Sequence, residues 1–288
     1  MANITLQSTV SPIIPTWCPG CGNFGILGAM RQAFTQLALP EENLVVFYGV
    51  GCSGNMADFN NVYGFHALHG RAIPNAIGAK LSNHKLKIIV VAGDGDTYGE
   101  GMNHFLSAAR GNHDITILVH NNQTYSLTTG QSSPTTPKGR KTKSTPAPEG
   151  IIEQPVNPLA LALDADAGFV ARGYAGDMAH LIGLIKEAMN YEGFSVVDVL
   201  QPCPTFNKIN SYQWYQERIY KLGEDYVANS KQQAWEKSQE IEKLPVGLFY
   251  KNDQLVPYHQ QLHQLKEKTL IEQRPEKVSI APSLKEFV

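Results

Sequence analysis

Residues 88–96 read Ile88-Ile89-Val90-Val91-Ala92-Gly93-Asp94-Gly95-Asp96, an apolar run that ends on two aspartates. A second apolar run, residues 115–119, is soon followed by Asn121-Asn122. Such runs are typical of strands buried on both faces of a parallel sheet. Between them, apolar residues recur at helical spacing over residues 98–110, and Gly111-Asn112 is a helix stop signal. The sequence therefore predicts a strand-helix-strand unit with a right-handed crossover, whose two strands end at one edge of the sheet.

The residues just beyond these two strands carry hard oxygen donors. Asp94 offers a carboxylate, Asn122 an amide carbonyl and Thr124 a main-chain carbonyl, which together with phosphate oxygens and water suit Mg2+. Gly93 and Gly95 let the backbone approach a diphosphate that a Cβ would obstruct. Because ligands of open α/β sheets bind at this edge, we expect a magnesium and diphosphate site here. An Asp-Gly-Asp after a strand is by itself only a common turn.

The cysteines give a second, independent signal. The chain has four of them, Cys18, Cys21, Cys52 and Cys203. Cys52 and Cys203 each follow an apolar run, residues 44–48 and 194–200, so we expect the thiols at the same sheet edge. Four thiolates there would suit a [4Fe-4S] cluster. A four-cysteine zinc site, two disulfides, and one redox Cys-x-x-Cys with bystander thiols remain alternatives, although zinc ribbons usually show two close pairs and disulfides usually follow a secretory signal.

The remaining patterns predict an α/β fold, a parallel sheet flanked by helices. Residues 169–171 and 194–200 have the pattern of strands, and residues 178–189 that of an amphipathic helix between them. We expect one α/β domain over residues 1–210, interrupted by a basic, Pro- and Thr-rich loop at about 132–156. Residues 211–288 are predicted to be a helical extension that packs on the core or on a partner subunit.

Composition limits the classes of partner. The chain has 288 residues and a formal net charge of −2, so nucleic acid is not expected. No stretch is apolar and long enough to suggest a secretory signal or a membrane span, and we expect a cytoplasmic protein. Positive charge does cluster at residues 138–143, which is either a solvated loop or a patch for an acidic ferredoxin or the phosphates of coenzyme A.

Five motifs that follow one another in a fixed order along the chain are typical of one protein family. They are Cys18-Pro19-Gly20-Cys21-Gly22, Gly49-Val50-Gly51-Cys52-Ser53, Tyr63-Gly64-Phe65-His66-Ala67-Leu68-His69-Gly70-Arg71, Gly93-Asp94-Gly95-Asp96 and Asn121-Asn122-Gln123-Thr124-Tyr125. At this spacing, over residues 17–203, the chain resembles the beta subunit of 2-oxoacid:ferredoxin oxidoreductases. The resemblance implies a thiamine diphosphate-binding fold.

The resemblance also implies a reaction and its cofactors. The reaction is oxidative decarboxylation of a 2-oxo acid, with release of CO2, transfer of the acyl group to coenzyme A, and passage of electrons through a [4Fe-4S] cluster to ferredoxin. The cofactors would supply the chemistry, and the protein their orientation and electrostatics. The implied metal ligands are Asp94, Asn122 and Thr124 for Mg2+, and Cys18, Cys21, Cys52 and Cys203 for the cluster.

Further roles follow from the same resemblance. The residues implied to bind the thiamine cofactor are Gly51, Cys52, Ser53, Leu68, His69, Gly93, Gly95, Asp96, Ser126 and Leu127. His69, with His66 beside it, would approach the thiamine ring or the substrate, where an imidazole can steer a proton. Arg71 would pair with a carboxylate or phosphate. For the histidines a hydrogen-bonded structural role, and for Arg71 a surface ion pair, are the simpler alternatives.

One departure concerns the substrate. Many relatives have a Lys or Arg just after the Cys-Ser that suits a substrate carboxylate, whereas this chain has Asn55, which can donate only a neutral hydrogen bond. The context of residues 17–22 favours the 2-oxoglutarate branch, with pyruvate next.

The chain is also missing one catalytic group. Thiamine enzymes use a Glu beside the aminopyrimidine, which in this family comes from the larger alpha subunit, and no residue here takes its place. We therefore expect an alpha-beta or alpha2-beta2 assembly with a shared active site.

Two other functions stay open. One is a thiamine-dependent decarboxylase subunit with inert cysteines and no electron transfer. The other is a zinc-stabilised, non-catalytic scaffold subunit in which Gly93-Asp94-Gly95-Asp96 is only a turn. Neither explains why four cysteines and the magnesium motif are predicted at one sheet edge.

Overall fold

The computed structural model describes residues 2–142, 144–145, 148–223, 225–273 and 280–287. Lys143, the last residue of the basic run, lies outside this range. The strands are β1 (Leu44–Tyr48), β2 (Gly64–His66), β3 (Lys87–Gly93), β4 (Thr116–Asn121), β5 (Phe169–Tyr174), β6 (Ser195–Leu200), β7 (Ile219–Lys221) and β8 (Leu244–Lys251).

These strands form one sheet in the order β2-β1-β3-β4-β6-β5-β8-β7. Neighbours pair in parallel except β5 and β8, which are antiparallel. The predicted α/β class is confirmed, and β3, the helix that follows it and β4 form the predicted strand-helix-strand unit. In the register of β3 and β4, Gly93 lies opposite His120, so the chain leaves both strands at the same edge.

The helices cover both faces of the sheet. They are α1 (Asn23–Leu37), α2 (Met56–Phe59), α3 (Ala72–Ser82), α4 (Met102–Arg110), α5 (Pro158–Asp164), α6 (Met178–Asn190), α7 (Tyr212–Gln216), α8 (Lys231–Ser238), α9 (Tyr258–Gln261) and α10 (Ala281–Leu284). A π-helical turn, Asp96–Glu100, precedes α4. None of the helices in the described ranges combines the length and the hydropathy that a membrane-spanning segment requires.

Alternate residues of each central strand pack into two different cores. Val91 packs on the α1 and α6 side, whereas Val90 packs on the α3, α4 and α5 side. Residues of β3 therefore contact apolar side chains on both faces, which explains the continuous apolar run. The two cores hold the strand ends, and so the polar residues beyond them, in fixed positions.

The extension after residue 210, predicted to be helical, contains helices and also two strands. Helix α8 forms there, but β8 and the short β7 also join the main sheet. Pro245 and Gly247 disfavour a helix within β8. The strand instead buries Val246 and Phe249 and pairs with β5, whose free edge would otherwise expose unpaired backbone groups.

Helix α1 packs closely against the main chain at Ala175, and this contact predicts how a substitution in α1 changes stability. A Cβ on Gly25 would lie 2.4 Å from the carbonyl oxygen of Ala175, whereas a Cβ on Gly183 in α6 would meet nothing within 4 Å. We expect Gly25→Ala to lower the free energy of unfolding by about 2–4 kcal/mol, because backbone must move. Gly183→Ala should raise it by about 0.5–1 kcal/mol through helix propensity alone. Chemical denaturation checks both, and equal effects of the two substitutions would contradict the packing argument.

Candidate functional site

A cavity, here called the front cavity, opens at the carboxyl ends of β1, β3 and β4. Its wall contains Val50, Gly51, Cys52, Ser53, His69, Gly93, Asp94, Gly95, Asp96, His120, Asn122, Thr124, Tyr125, Ser126, Leu127 and Thr128. All three residues predicted to bind Mg2+ are in this set. The structure therefore brings together these three residues, which span 30 positions of the sequence.

Asp94 is the most deeply placed carboxylate of the front cavity. Its side chain is about 1% exposed, and its Oδ2 accepts hydrogen bonds from Ser133 Oγ and Thr135 Oγ1, each at 2.5 Å. Burial raises the pKa of Asp94 to about 6, and the two hydroxyl donors only partly oppose this. A buried carboxylate held in one orientation, whose charge is costly without a cation, fits the role of a metal ligand.

Ser133 and Thr135 were missed by the sequence analysis. They lie 39 and 41 positions after Asp94 in a loop whose Ser, Pro and Thr composition indicated only irregular structure. Thr135 Oγ1 also lies 3.1 Å from Asn121 Oδ1. The loop thus orients the aspartate and closes the back of the site.

Asn122 and Thr124 form the opposite part of this wall. Asn122 Oδ1 accepts the main-chain N–H of Thr124 at 3.1 Å, and the Asn122 carbonyl accepts from Asn207 Nδ2 at 2.9 Å. Both residues are buried. These contacts set the turn after β4 that carries the oxygen donors.

Asp96 anchors a neighbouring loop. Its Oδ1 accepts N–H groups from Gly70 at 2.8 Å and Val50 at 3.3 Å, and lies 2.6 Å from His69 Nδ1. Burial raises the pKa of Asp96, and the Gly70 N–H and His69 oppose the shift. Asp96 thereby orients the imidazole of His69 toward the front cavity, while Gly70 takes a φ of 69° that favours glycine.

His120 is a third residue that the sequence analysis missed. It is fully buried, which lowers its pKa to about 3, so the ring is neutral at physiological pH. Its Nδ1 lies 2.7 Å from Asn23 Oδ1, and its Nε2 has no hydrogen-bond partner among the described residues. The sequence feature that could have identified His120 is its position as a histidine within an otherwise apolar strand. Its place in the wall gives the front cavity a neutral imidazole.

The four cysteines line a second cavity of about 200 Å³, here called the cysteine cavity. All four are free thiols. Burial, reinforced by the neighbouring thiols, raises the pKa of Cys52 to about 12, and burial raises that of Cys21 to about 11. No three His, Cys, Asp or Glu side chains within the described ranges are grouped closely enough to hold a metal ion. The predicted convergence of the cysteines on one cavity is nevertheless observed.

The two cavities share a wall. Cys52, Asn122, Ser126 and Leu127 line both of them. Ser126 Oγ lies 3.4 Å from Cys203 Sγ, and Trp17 Nε1 donates to the Cys52 carbonyl at 2.7 Å. Groups bound in the two cavities would therefore be separated by only one layer of side chains.

Three predicted site residues lie elsewhere. Leu68 is 79% exposed and outside the wall of the front cavity. Arg71 is exposed, and its Nη1 donates to the main-chain carbonyl of Glu100 at 3.1 Å rather than to a carboxylate. Asn55 lines the cysteine cavity and not the front cavity.

Comparison with known proteins identifies the family. Residues 44–199 match the model of the thiamine pyrophosphate enzyme C-terminal TPP binding domain, and residues 203–267 match that of the C-terminal region of the pyruvate ferredoxin oxidoreductase beta chain. The 2-oxoacid:ferredoxin oxidoreductase beta subunit of Saccharolobus solfataricus is 46% identical over 260 residues, 85% of each chain. This chain belongs to the family of 2-oxoacid:ferredoxin oxidoreductase beta subunits. The front cavity lies within the TPP binding match, and β7 and β8 lie within the second match.

Other relatives of the family carry narrower names. The 2-oxoglutarate oxidoreductase subunit KorB of Mycobacterium tuberculosis is 44% identical over 191 residues, 66% of this chain and 51% of the relative. The solved 2-oxoglutarate:ferredoxin oxidoreductase of Magnetococcus marinus, with 2-oxoglutarate, coenzyme A and succinyl-CoA bound, aligns with a TM-score of 0.90. The two are 33% identical, with 99% of this chain and 97% of that chain covered.

Proposed function

We propose that this chain is the cofactor-binding subunit of a coenzyme A-acylating 2-oxoacid:ferredoxin oxidoreductase that uses thiamine diphosphate and Mg2+. The observation that carries the proposal is the front cavity, in which Asp94, Asn122 and Thr124 meet at the carboxyl edge of the sheet. Hard oxygen donors at this edge suit a magnesium diphosphate.

The residues present fit that cofactor. Asp94, the amide oxygen of Asn122 and the Thr124 carbonyl would hold Mg2+, and Gly93, Gly95, Ser126 and Leu127 would lie along the diphosphate. A Cβ at position 95 would come within 2.3 Å of the Tyr125 ring, so glycine is what lets this ring pack against the loop after β3. When bound, thiamine diphosphate supplies the electron sink for decarboxylation of a 2-oxo acid.

Residues of this chain would then position the reactants. Asp96 holds His69 toward the front cavity, where the imidazole can donate or accept a proton. Tyr125 Oη donates to the Glu100 carboxylate at 3.2 Å and packs over Gly95, which fixes the floor of the cavity. His120 adds a neutral hydrogen-bonding group and no charge to the same wall.

We further propose that the four cysteines hold a [4Fe-4S] cluster that passes electrons to ferredoxin. Their common cavity of about 200 Å³ accommodates a group larger than a single ion. Burial disfavours the thiolates of Cys21 and Cys52 in the free protein, and iron would remove that cost. The shared wall formed by Cys52 and Ser126 would keep the electron path short.

The larger alpha subunit, 2-oxoglutarate as substrate and a cytoplasmic location complete the proposal, with pyruvate as the next substrate. Relatives named for 2-oxoglutarate in Mycobacterium tuberculosis and Archaeoglobus fulgidus support the substrate. The alpha subunit would supply the Glu that this chain lacks, in an alpha-beta or alpha2-beta2 assembly. Free thiols agree with a reducing compartment.

The test is to purify the chain with its larger subunit without oxygen, and to measure thiamine, iron, acid-labile sulfide and zinc. We expect thiamine diphosphate with about four irons and four sulfides per chain. The complex should reduce ferredoxin when 2-oxoglutarate and coenzyme A are both present. Thiamine without iron would instead indicate a plain decarboxylase subunit, and zinc without thiamine would overturn the proposed enzyme.

A further inference from the structure

The side-chain amide of Gln201 connects the cysteine cavity with the proposed magnesium site. Gln201 directly follows β6, lies two positions before Cys203 and is only 1% exposed. Its Nε2 lies 3.5 Å from Cys21 Sγ, and its Oε1 lies 3.5 Å from Asn122 Nδ2. One buried amide therefore contacts a proposed ligand of the cluster and a proposed ligand of Mg2+.

The main chain fixes the direction of these contacts. The N–H of Thr124 can only donate, and Asn122 Oδ1 accepts it at 3.1 Å. The amide nitrogen of Asn122 therefore faces Gln201 and needs its oxygen as acceptor, which turns the Gln201 N–H groups toward Cys21. The contacts form a chain in which every donor points from Thr124 toward the sulfur of Cys21.

The surrounding backbone holds the Gln201 side chain in this position. The main-chain N–H of Gln201 donates to the Asn121 carbonyl at 3.0 Å, and the Gly22 N–H donates to the Pro202 carbonyl at 3.0 Å. A Cβ on Gly22 would lie 2.6 Å from Gln201 Cγ. The glycine that follows Cys21 is thus what lets the Gln201 side chain pass beside the cysteine loop.

Hydrogen bonds aligned in one direction polarise one another. A cation on the Asn122 oxygen would strengthen its N–H as a donor, and Gln201 would in turn donate more strongly to the sulfur of Cys21. Both amides are buried, so water screens this effect little. Donors to the sulfurs of an iron-sulfur cluster stabilise its more negative, reduced state and raise its reduction potential.

We propose that Gln201 is a positioning residue that couples the two cofactor sites, so that binding of Mg2+ and thiamine diphosphate raises the reduction potential of the cluster. This inference rests on the proposed function, because it requires both cofactors in their assigned cavities. By linkage, reduction of the cluster strengthens the binding of Mg2+ and thiamine diphosphate by the same factor. The cluster therefore accepts electrons most readily when the front cavity is filled.

The first test uses the wild-type chain with its larger subunit, prepared without oxygen. Redox titration followed by electron paramagnetic resonance measures the potential of the cluster with and without Mg2+ and thiamine diphosphate. We expect the cofactors to increase the equilibrium constant for cluster reduction at least about threefold, which is about 28 mV for one electron. A potential that does not change when the cofactors are removed would overturn the coupling.

The second test is Gln201→Met, which keeps the length of the side chain and removes both polar contacts. We expect the equilibrium constant for cluster reduction to fall about tenfold, or about 59 mV, and its response to Mg2+ and thiamine diphosphate to disappear. Calorimetry should show about tenfold weaker binding of thiamine diphosphate, because Asn122 loses an orienting partner. Iron content should stay close to that of the wild type.

Gln36→Met is the matched control. Gln36 is exposed on α1, accepts from Lys186 Nζ at 3.0 Å and lies outside both cavities, so neither the potential nor the thiamine affinity should change. An iron-containing Gln201→Met complex with the potential and cofactor response of the wild type, or equal effects of the two substitutions, would overturn the role of Gln201. Absence of iron or thiamine from the wild-type complex would instead overturn the proposed function.

Discussion

Asp94→Asn is expected to abolish magnesium-dependent binding of thiamine diphosphate while leaving a folded protein. The asparagine keeps the size of the side chain and can still accept from Ser133 and Thr135, but it removes the only formal charge of the proposed ligand set. Loss of that charge should weaken binding by at least about 100-fold. Calorimetry with thiamine diphosphate and Mg2+ measures the loss, and iron content should stay normal.

The same substitution should increase the stability of the cofactor-free protein at neutral pH. Burial raises the pKa of Asp94 from 3.8 to about 6, so the folded protein binds this proton more tightly than the unfolded chain. The wild type therefore loses stability as the pH rises from about 4 through 6, and Asp94→Asn should not. We expect the variant to be about 1–3 kcal/mol more stable at neutral pH without cofactor.

Ser133→Ala is the control for this pair of measurements. It removes one of the two hydroxyl donors to Asp94 but keeps the carboxylate. Affinity for thiamine diphosphate should fall by no more than about tenfold. Full thiamine affinity in Asp94→Asn would show that the metal assignment is wrong, and a large loss of stability would show that Asp94 is a structural residue.

Cys52→Ala is expected to remove the iron-sulfur cluster and, with it, ferredoxin reduction. Iron should fall from about four per chain to less than one, because the cluster loses one of its four thiolate ligands. Ferredoxin reduction should fall at least about 100-fold. Iron and sulfide analysis of protein prepared without oxygen measures the first effect, and a coupled ferredoxin assay the second.

Cys203→Ser distinguishes effects on the cysteine cavity from effects on the front cavity. Cys203 lines only the cysteine cavity, whereas Cys52 lines both. Both variants should lose iron, but only Cys52→Ala should also alter the affinity for thiamine diphosphate. Normal iron content in either variant would remove that cysteine from the proposed ligand set.

Local sequence patterns were sufficient for the central fold and part of the site. The apolar runs predicted β1, β3, β4 and β6, and the residues after them were correctly expected to meet at one edge. This worked because strands buried on both faces must be apolar throughout, and parallel strands end on the same side of a sheet. The convergence of Asp94 and Asn122, and of the cysteines, follows from those two facts.

Contacts between distant segments could not be predicted from local sequence patterns. Strand β8 forms because β5 offers it a pairing edge, although its own sequence contains Pro245 and Gly247. Arg140, part of a basic run that suggested a solvated loop, instead turns inward to Asn210. In both cases the free energy comes from a partner that lies at least 70 positions away.

Local patterns were therefore enough to predict the α/β core, the edge where the polar residues meet and the residue types available there. The packed chain was needed to show which side chains orient those residues: Ser133 and Thr135 on Asp94, Asn23 on His120, and Asp96 on His69. Local periodicity reports which face of an element is buried. Hydrogen bonds to buried polar atoms depend on which loop reaches them, and that is settled only when the whole chain has packed.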